Sequence, residues 1–172
     1  MTDKDVMEPI QHPKISEVIL IGKRDMFPIS WLHKQEYCEY QIFLENVKGI
    51  NVKPTKEMIE GKLVHKSLEK KFKEIAKPIL LKEIIEKSKV TEMLSRELPV
   101  ISIRHGIYGA IDEIRFTPNN FIIIDDKPGT KVYLSNVHQV YGYCLAFKDM
   151  IKNMDNRTII AALRERRTDN IP

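Results

Sequence analysis

Asp125 and Lys127 stand two apart in the run FIIIDDK, and Asp112 stands in an earlier run, YGAIDEIRF, with only TPNN between the two. Side chains alternate along an extended chain, so Asp125 and Lys127 share one face and Asp126 takes the other. A hairpin that sets Phe116 opposite Phe121 also sets Asp112 opposite Asp125, and Lys127 opposite the small Ala110. Directly opposed like charges destabilise a sheet. The apolar Ile114, Phe116, Phe121 and Ile123 share that face, so desolvation adds to the cost. A divalent cation relieves both, and hard carboxylate oxygens suit magnesium or manganese. For the hairpin alone, the alternative is a pair of strand-end aspartates that reach solvent.

Two further segments carry candidate groups. His65 follows Gly61 by one helical turn in GKLVH and can present an imidazole nitrogen to a metal. Gly61 lies in a helical run, where glycine costs about 1 kcal/mol against alanine, which suggests close approach of another backbone. Gln139 and Tyr143 are four apart and share a helix face, from which they can contact a phosphate or a base. Taken singly, a lone histidine is more often packed or exposed, and Gln139 and Tyr143 read as ordinary helix polarity and packing.

The elements that must position these residues follow from periodicity. Residues 1–29 read as an N-terminal arm, loosest over the polar 1–14. Residues 30–48 read as a helix capped by Ser30. Residues 55–76 form a strong helix, capped by Thr55, with Met58, Ile59, Leu63, Val64, Leu68, Phe72 and Ile75 in one stripe. A second helical stretch covers 79–96. The period then changes to that of strands at 99–104, 108–116 and 121–127, with Tyr108, Ala110, Asp112, Ile114 and Phe116 on one face. Ser135 caps a helix to about 151, and 157–164 reads as a last, buried strand. The order predicts one α/β domain over 30–172, helical to about 96 and with its catalytic core over 97–164. Its architecture is a central mixed sheet flanked by helices, with an N-terminal helical segment.

Composition bounds the class. The chain has 172 residues, 42% hydrophobic and 30% charged, with a net charge of +4. That suits one globular domain with its own core. Lys62, Lys66, Lys70, Lys71 and Lys73 form one basic cluster and Arg164, Arg166 and Arg167 another. Either can neutralise phosphates, or simply solvate a surface. Two cysteines, no apolar leader and no membrane-length apolar run point to a protein of the cytoplasm without disulfides. Cys144 shares an apolar face with Val137, Val140 and Tyr141 and reads as core.

In order along the chain stand G-x-x-x-H (Gly61 to His65), G-x-x-D (Gly109 to Asp112), D-x-K (Asp125 to Lys127) and Q-x-x-x-Y (Gln139 to Tyr143). Each is weak alone. Together they resemble the RecB-like branch of the PD-(D/E)XK nucleases. The segment Trp31–Glu45, with Tyr37-Cys38 and Phe43-Leu44, is similar to the N-terminal part of the small RecB-type exonucleases associated with CRISPR systems. The resemblance spans about 30–164. It implies a restriction-endonuclease-like core that cuts DNA with magnesium or manganese. His65, Asp112 and Asp125 match the metal ligands, joined by the backbone carbonyl of Asp126. Lys127 matches the catalytic lysine, and Gln139 and Tyr143 match the helix motif that positions DNA. The CRISPR-associated group carries four cysteines for an iron–sulfur cluster. Only Cys38 matches, as a partial or vestigial ligand, and Glu39-Tyr40 replaces the usual Pro-Arg. Two cysteines cannot supply four thiolates, so the sequence reads as a shortened form or a member without the cluster.

The function expected from this resemblance is a DNA exonuclease acting on single strands or DNA ends. Its products would suit CRISPR spacer acquisition, with integrase proteins as partners. A DNA-end-binding subunit with little catalysis and a structure-specific endonuclease of the same fold are the alternatives.

Overall fold

The computed structural model describes residues 8–51, 53–76, 78–128 and 131–166. Three short strands come first: β1 (Ile10–Gln11), β2 (Ile19–Ile21) and β3 (Arg24–Pro28). Helices α1 (Ser30–Asn46), α2 (Lys56–Ile75) and α3 (Leu81–Lys87) follow. Strands β4 (Met93–Ser102), β5 (Ile107–Phe116) and β6 (Asn120–Pro128) lead to helix α4 (Leu134–Ile151) and strand β7 (Thr158–Arg166). The strands form one mixed seven-stranded sheet. Pairing is parallel for β3 with β5 and β6 with β7, and antiparallel elsewhere. This is an α/β fold with helices flanking a mixed sheet, consistent with a restriction-endonuclease-like core.

Strand β5 is the organiser. Along one edge it pairs with β4, from Met93 opposite Phe116 to Ser102 opposite Ile107. The other edge is shared. At its start, Ile107 and Tyr108 pair with Phe27 and Pro28 of β3. At its end, Glu113 to Phe116 pair with Ile124 to Phe121 of β6. Between these two pairings the sheet forks, and Gly109 to Asp112 have no strand partner on that edge among the described residues.

The core lies between the sheet and α4. Phe116, Phe121 and Phe147 meet edge to face with ring centroids 5.4–6.1 Å apart, a geometry that adds to their burial. Ile84 and Ile85 of α3 join them. Gly142 lets α1 and α4 close up, because a Cβ there would lie 2.6 Å from Leu32 and 2.9 Å from Ile29. Arg157 closes the hairpin end. It donates to the carbonyls of Thr117 and Ile85, pairs with Asp155, and lies over the Phe121 ring at 4.3 Å.

Several expectations need correction. The stretch 79–96 is helical only over Leu81–Lys87, and the strand expected from 99 begins at Met93. Its long ladder with β5 outweighs the helix-compatible composition of EMLSREL. Residues 10–28, read as arm, contribute three strands that extend the sheet through β3. Ile29 and Tyr133, rather than Ser30 and Ser135, occupy the cap positions of α1 and α4, without side-chain cap bonds. Among the described residues the last strand pairs with β6 alone and leaves Ile160 40% exposed, so it is an edge rather than a buried strand.

Candidate active site

The predicted hairpin register holds: Phe116 pairs with Phe121 and Glu113 with Ile124. One residue further on, at Asp112 and Asp125, the ladder ends. There the Asp112 side chain replaces the strand, its Oδ2 accepting the backbone N–H of Asp126 at 3.0 Å. The β5–β6 pairing therefore does not extend to Lys127 and Ala110.

The predicted single face of β5 also breaks at Asp112. Gly109 faces Tyr143 of α4, as Phe116 faces Phe147. Residues 109 and 116 differ in parity, so the inward face slips by one place between Ile111 and Ile114. Across the sheet, Glu97 of β4 stands at the register level of Asp112 and has a left-handed backbone, φ +49°. For a non-glycine residue that conformation costs about 1–2 kcal/mol. The irregularity in both strands thus falls at the level of the acidic residues.

Asp125 is 2% exposed, and Lys127 Nζ lies 3.0 Å from its Oδ2. The pair is not aligned as a hydrogen bond, and Oδ2 is left without one. Burial raises the Asp125 carboxyl to about 7. Asp112 adds to the rise, and the Lys127 charge opposes it. Lys127 also donates to Gln139 Oε1 at 3.2 Å, and Gln139 Nε2 bonds the Tyr143 hydroxyl at 3.2 Å. Gly109 is required here, because a Cβ would lie 2.9 Å from the Tyr143 ring. The glycine of G-x-x-D thus seats the tyrosine of Q-x-x-x-Y.

Gln139 and Tyr143 are 8% and 6% exposed. Gln139 faces the lysine, and Tyr143 stands behind Gln139. Burial raises the Tyr143 phenol well above its usual range, and Asp112, Asp125 and Glu97 push in the same direction.

On the opposite face the charges are matched. Asp126 and Glu113 are 4% and 1% exposed. Arg164 bonds Asp126 at 2.7 and 3.1 Å and Glu113 at 2.9 and 2.8 Å, and Arg96 also pairs with Glu113. Burial pushes Glu113 up, but the arginines outweigh it and hold the carboxyl below its usual value. Arg164 rises in turn, through Asp126 first and Glu113 second. Arg164 is therefore the counter-ion of the buried Asp126 and Glu113. The parallel register pairs Asp126 with Arg164 directly, so the constant offset of β6 and β7 is the signal that reveals it. Arg166 and Arg167 lie outside the described side chains.

The carboxylates fit a divalent cation. Two acids meet where the ladder opens, one with a buried, unbonded oxygen and a raised affinity for a proton, which a cation can replace. Among the described residues no group of three His, Cys, Asp or Glu side chains is arranged to hold a metal. The expected third ligand, His65, and its neighbour Gly61 belong to the α2 residues whose side chains lie outside the described set. The α2 lysines Lys62, Lys66, Lys70, Lys71 and Lys73 are exposed.

Cys38 and Cys144 are free thiols. Cys38 is exposed at a break in α1, where its backbone is extended. Cys144 packs against the core, and burial raises its thiol to about 11. Among the described residues no helix is long and apolar enough to cross a membrane. No family model matches the chain, and no curated protein matches it.

Proposed function

We propose that the chain is a metal-dependent deoxyribonuclease that hydrolyses phosphodiester bonds. One observation carries the reading: Asp112 and Asp125 meet at the fork of the hairpin with Lys127 held between Asp125 and Gln139. Asp112 and Asp125 would hold magnesium or manganese, with His65 as the third ligand. Such an ion supplies Lewis acidity and lowers the pKa of bound water.

The chain's own groups do the rest. The ammonium of Lys127 orients the attacking water and offsets negative charge that develops on the phosphoryl oxygens. Asp125 and Gln139 restrict where that ammonium can go. The Tyr143 ring, seated on Gly109, backs Gln139. The finer assignment, an exonuclease preparing DNA for spacer acquisition, is supported by the similarity of residues 31–45 and by the order of the four motifs.

End-labelled single- and double-stranded DNA, incubated with manganese, magnesium or EDTA, tests the reading. Cleavage is expected with either metal, and Asp112→Ala is expected to remove it. Cutting that survives EDTA or the substitution would reject the proposal. Placing the label at either end reads the polarity of digestion.

A further inference from the structure

Helix α2 carries six lysines over its 20 residues, and all six are exposed. Four of them form a stripe. At about 100° per residue, Lys62, Lys66, Lys70 and Lys73 fall within about a quarter of the helix circumference, and they extend about 16 Å along its axis. Like charges one turn apart weaken a helix, and Lys62–Lys66 and Lys66–Lys70 are two such pairs. Elsewhere the surface lysines are matched: Lys34, Lys87, Lys89 and Lys152 each pair with a carboxylate. Among the described residues no acid pairs with Lys62, Lys66 or Lys70.

The stripe also borders a hollow. Lys66, Lys70 and Lys73 line, with Glu74, an open recess of about 510 Å³. A bare helix surface is convex, so a lysine face that only meets solvent has no need of one. An extended anion fits both the charge and the shape. Successive phosphates on one strand of B-form DNA rise about 3.4 Å, so the stripe matches about five of them. Lysine is a mobile point charge that follows a phosphate backbone without reading bases. An anionic bilayer is the other extended anion, and the exposed Ile59 and Leu63 lie on the same helix. A flat surface does not follow a recess, whereas a strand does.

We propose that the recess on α2 is a docking groove for the phosphate backbone of DNA, gripped by Lys62, Lys66, Lys70 and Lys73 without regard to base sequence. It supplies affinity that needs no metal, from residues separate from Asp112, Asp125 and Lys127. The choice of DNA as the polyanion rests on the nuclease reading.

Fluorescence anisotropy of a labelled oligonucleotide with the full chain in EDTA reads binding without cleavage. Replacing Lys62, Lys66 and Lys70 together by glutamine is expected to weaken binding about tenfold, equally for unrelated sequences. The slope of log affinity against log salt should fall by about 0.7 per lost contact on a single strand and about 0.9 on a duplex. Each single substitution should take about a third of that change, so the result does not hang on the folding of one variant. Replacing Lys87, Lys89 and Lys152 by glutamine removes the same net charge from lysines that have acidic partners, and should change neither quantity. Equal losses in the two triple variants would assign the effect to net charge and overturn the proposal. An unchanged salt slope, no binding of DNA by the unaltered protein, or tighter binding to phosphatidylserine vesicles than to DNA would overturn it too. DNA that is held in EDTA but not cut with manganese would fall on the nuclease reading and leave the groove standing. Cleavage by a triple lysine variant of undiminished affinity would fall on the groove alone.

Discussion

Asp125 and Asp126 are consecutive carboxylates in one strand, equally buried, yet their circumstances are opposite. Asp126 faces Arg164, shares it with Glu113, and has its charge matched by short, paired bonds. Asp125 faces a second acid, has one lysine beside it, and keeps an oxygen without a hydrogen bond. The back of the hairpin is a finished ion-pair network. Among the described residues the front sets Asp112 and Asp125 against the one lysine, a balance that a bound cation would complete. A fold commonly retains such a mismatch at a site of function.

Substitutions on the two faces should therefore diverge. The largest contrast is in activity. Asp125→Asn should reduce cleavage on the order of a thousandfold, as removal of a preorganised electrostatic group does. It should leave the metal-free protein equally or more stable, by about 1 kcal/mol. Asp126→Asn should do the reverse, keeping most cleavage and losing stability in urea titration. Similar behaviour of the two variants would erase the distinction between the faces.

Arg164→Met comes next. It strands Glu113 and Asp126 as buried charges, and breaking such a pair costs about 3 kcal/mol, read as a lower urea midpoint. Gly109→Ala should cost about 1–3 kcal/mol through overpacking against Tyr143. It should also lower cleavage, because the displaced ring carries Gln139 and then Lys127 with it.

The smallest effect is the response to pH in EDTA. Asp125 titrates near 7 in the fold, above its ordinary value. Its stabilising contribution is present when it is protonated and is lost as pH rises through 7. The unaltered protein should lose melting temperature more steeply than Asp125→Asn as pH rises from about 4 to about 7, with the two slopes converging above that. Parallel slopes would mean that burial does not raise this carboxyl. Glu113, held low by arginines, has the opposite sign: its contribution is present above the ordinary carboxyl range and is lost only in acid.

Much of the site was legible because sheet geometry is periodic. The short turn and the Phe116–Phe121 pair fixed the register, and alternation separated Asp126 from Asp125 and Lys127. What was not legible depends on contacts distant in sequence. The slip of β5 at Asp112 occurs where β6 leaves and β3 has not yet arrived, and no local residue pattern marks it. The early start of β4 is set by its partner rather than by its own propensities. Arg164 looked like a surface cation because its two acids lie 38 and 51 positions away.

The clamp formed by Arg157 bears on how the site moves. It ties the hairpin turn to α3, to the Phe121 ring and to the start of β7. The same two strands are bridged again at the fork, where Arg164 joins Glu113 of β5 to Asp126 of β6. Asp112 and Asp125 are therefore carried on a hairpin fastened at both ends, and a ligand meets carboxylates whose backbone is already held in place.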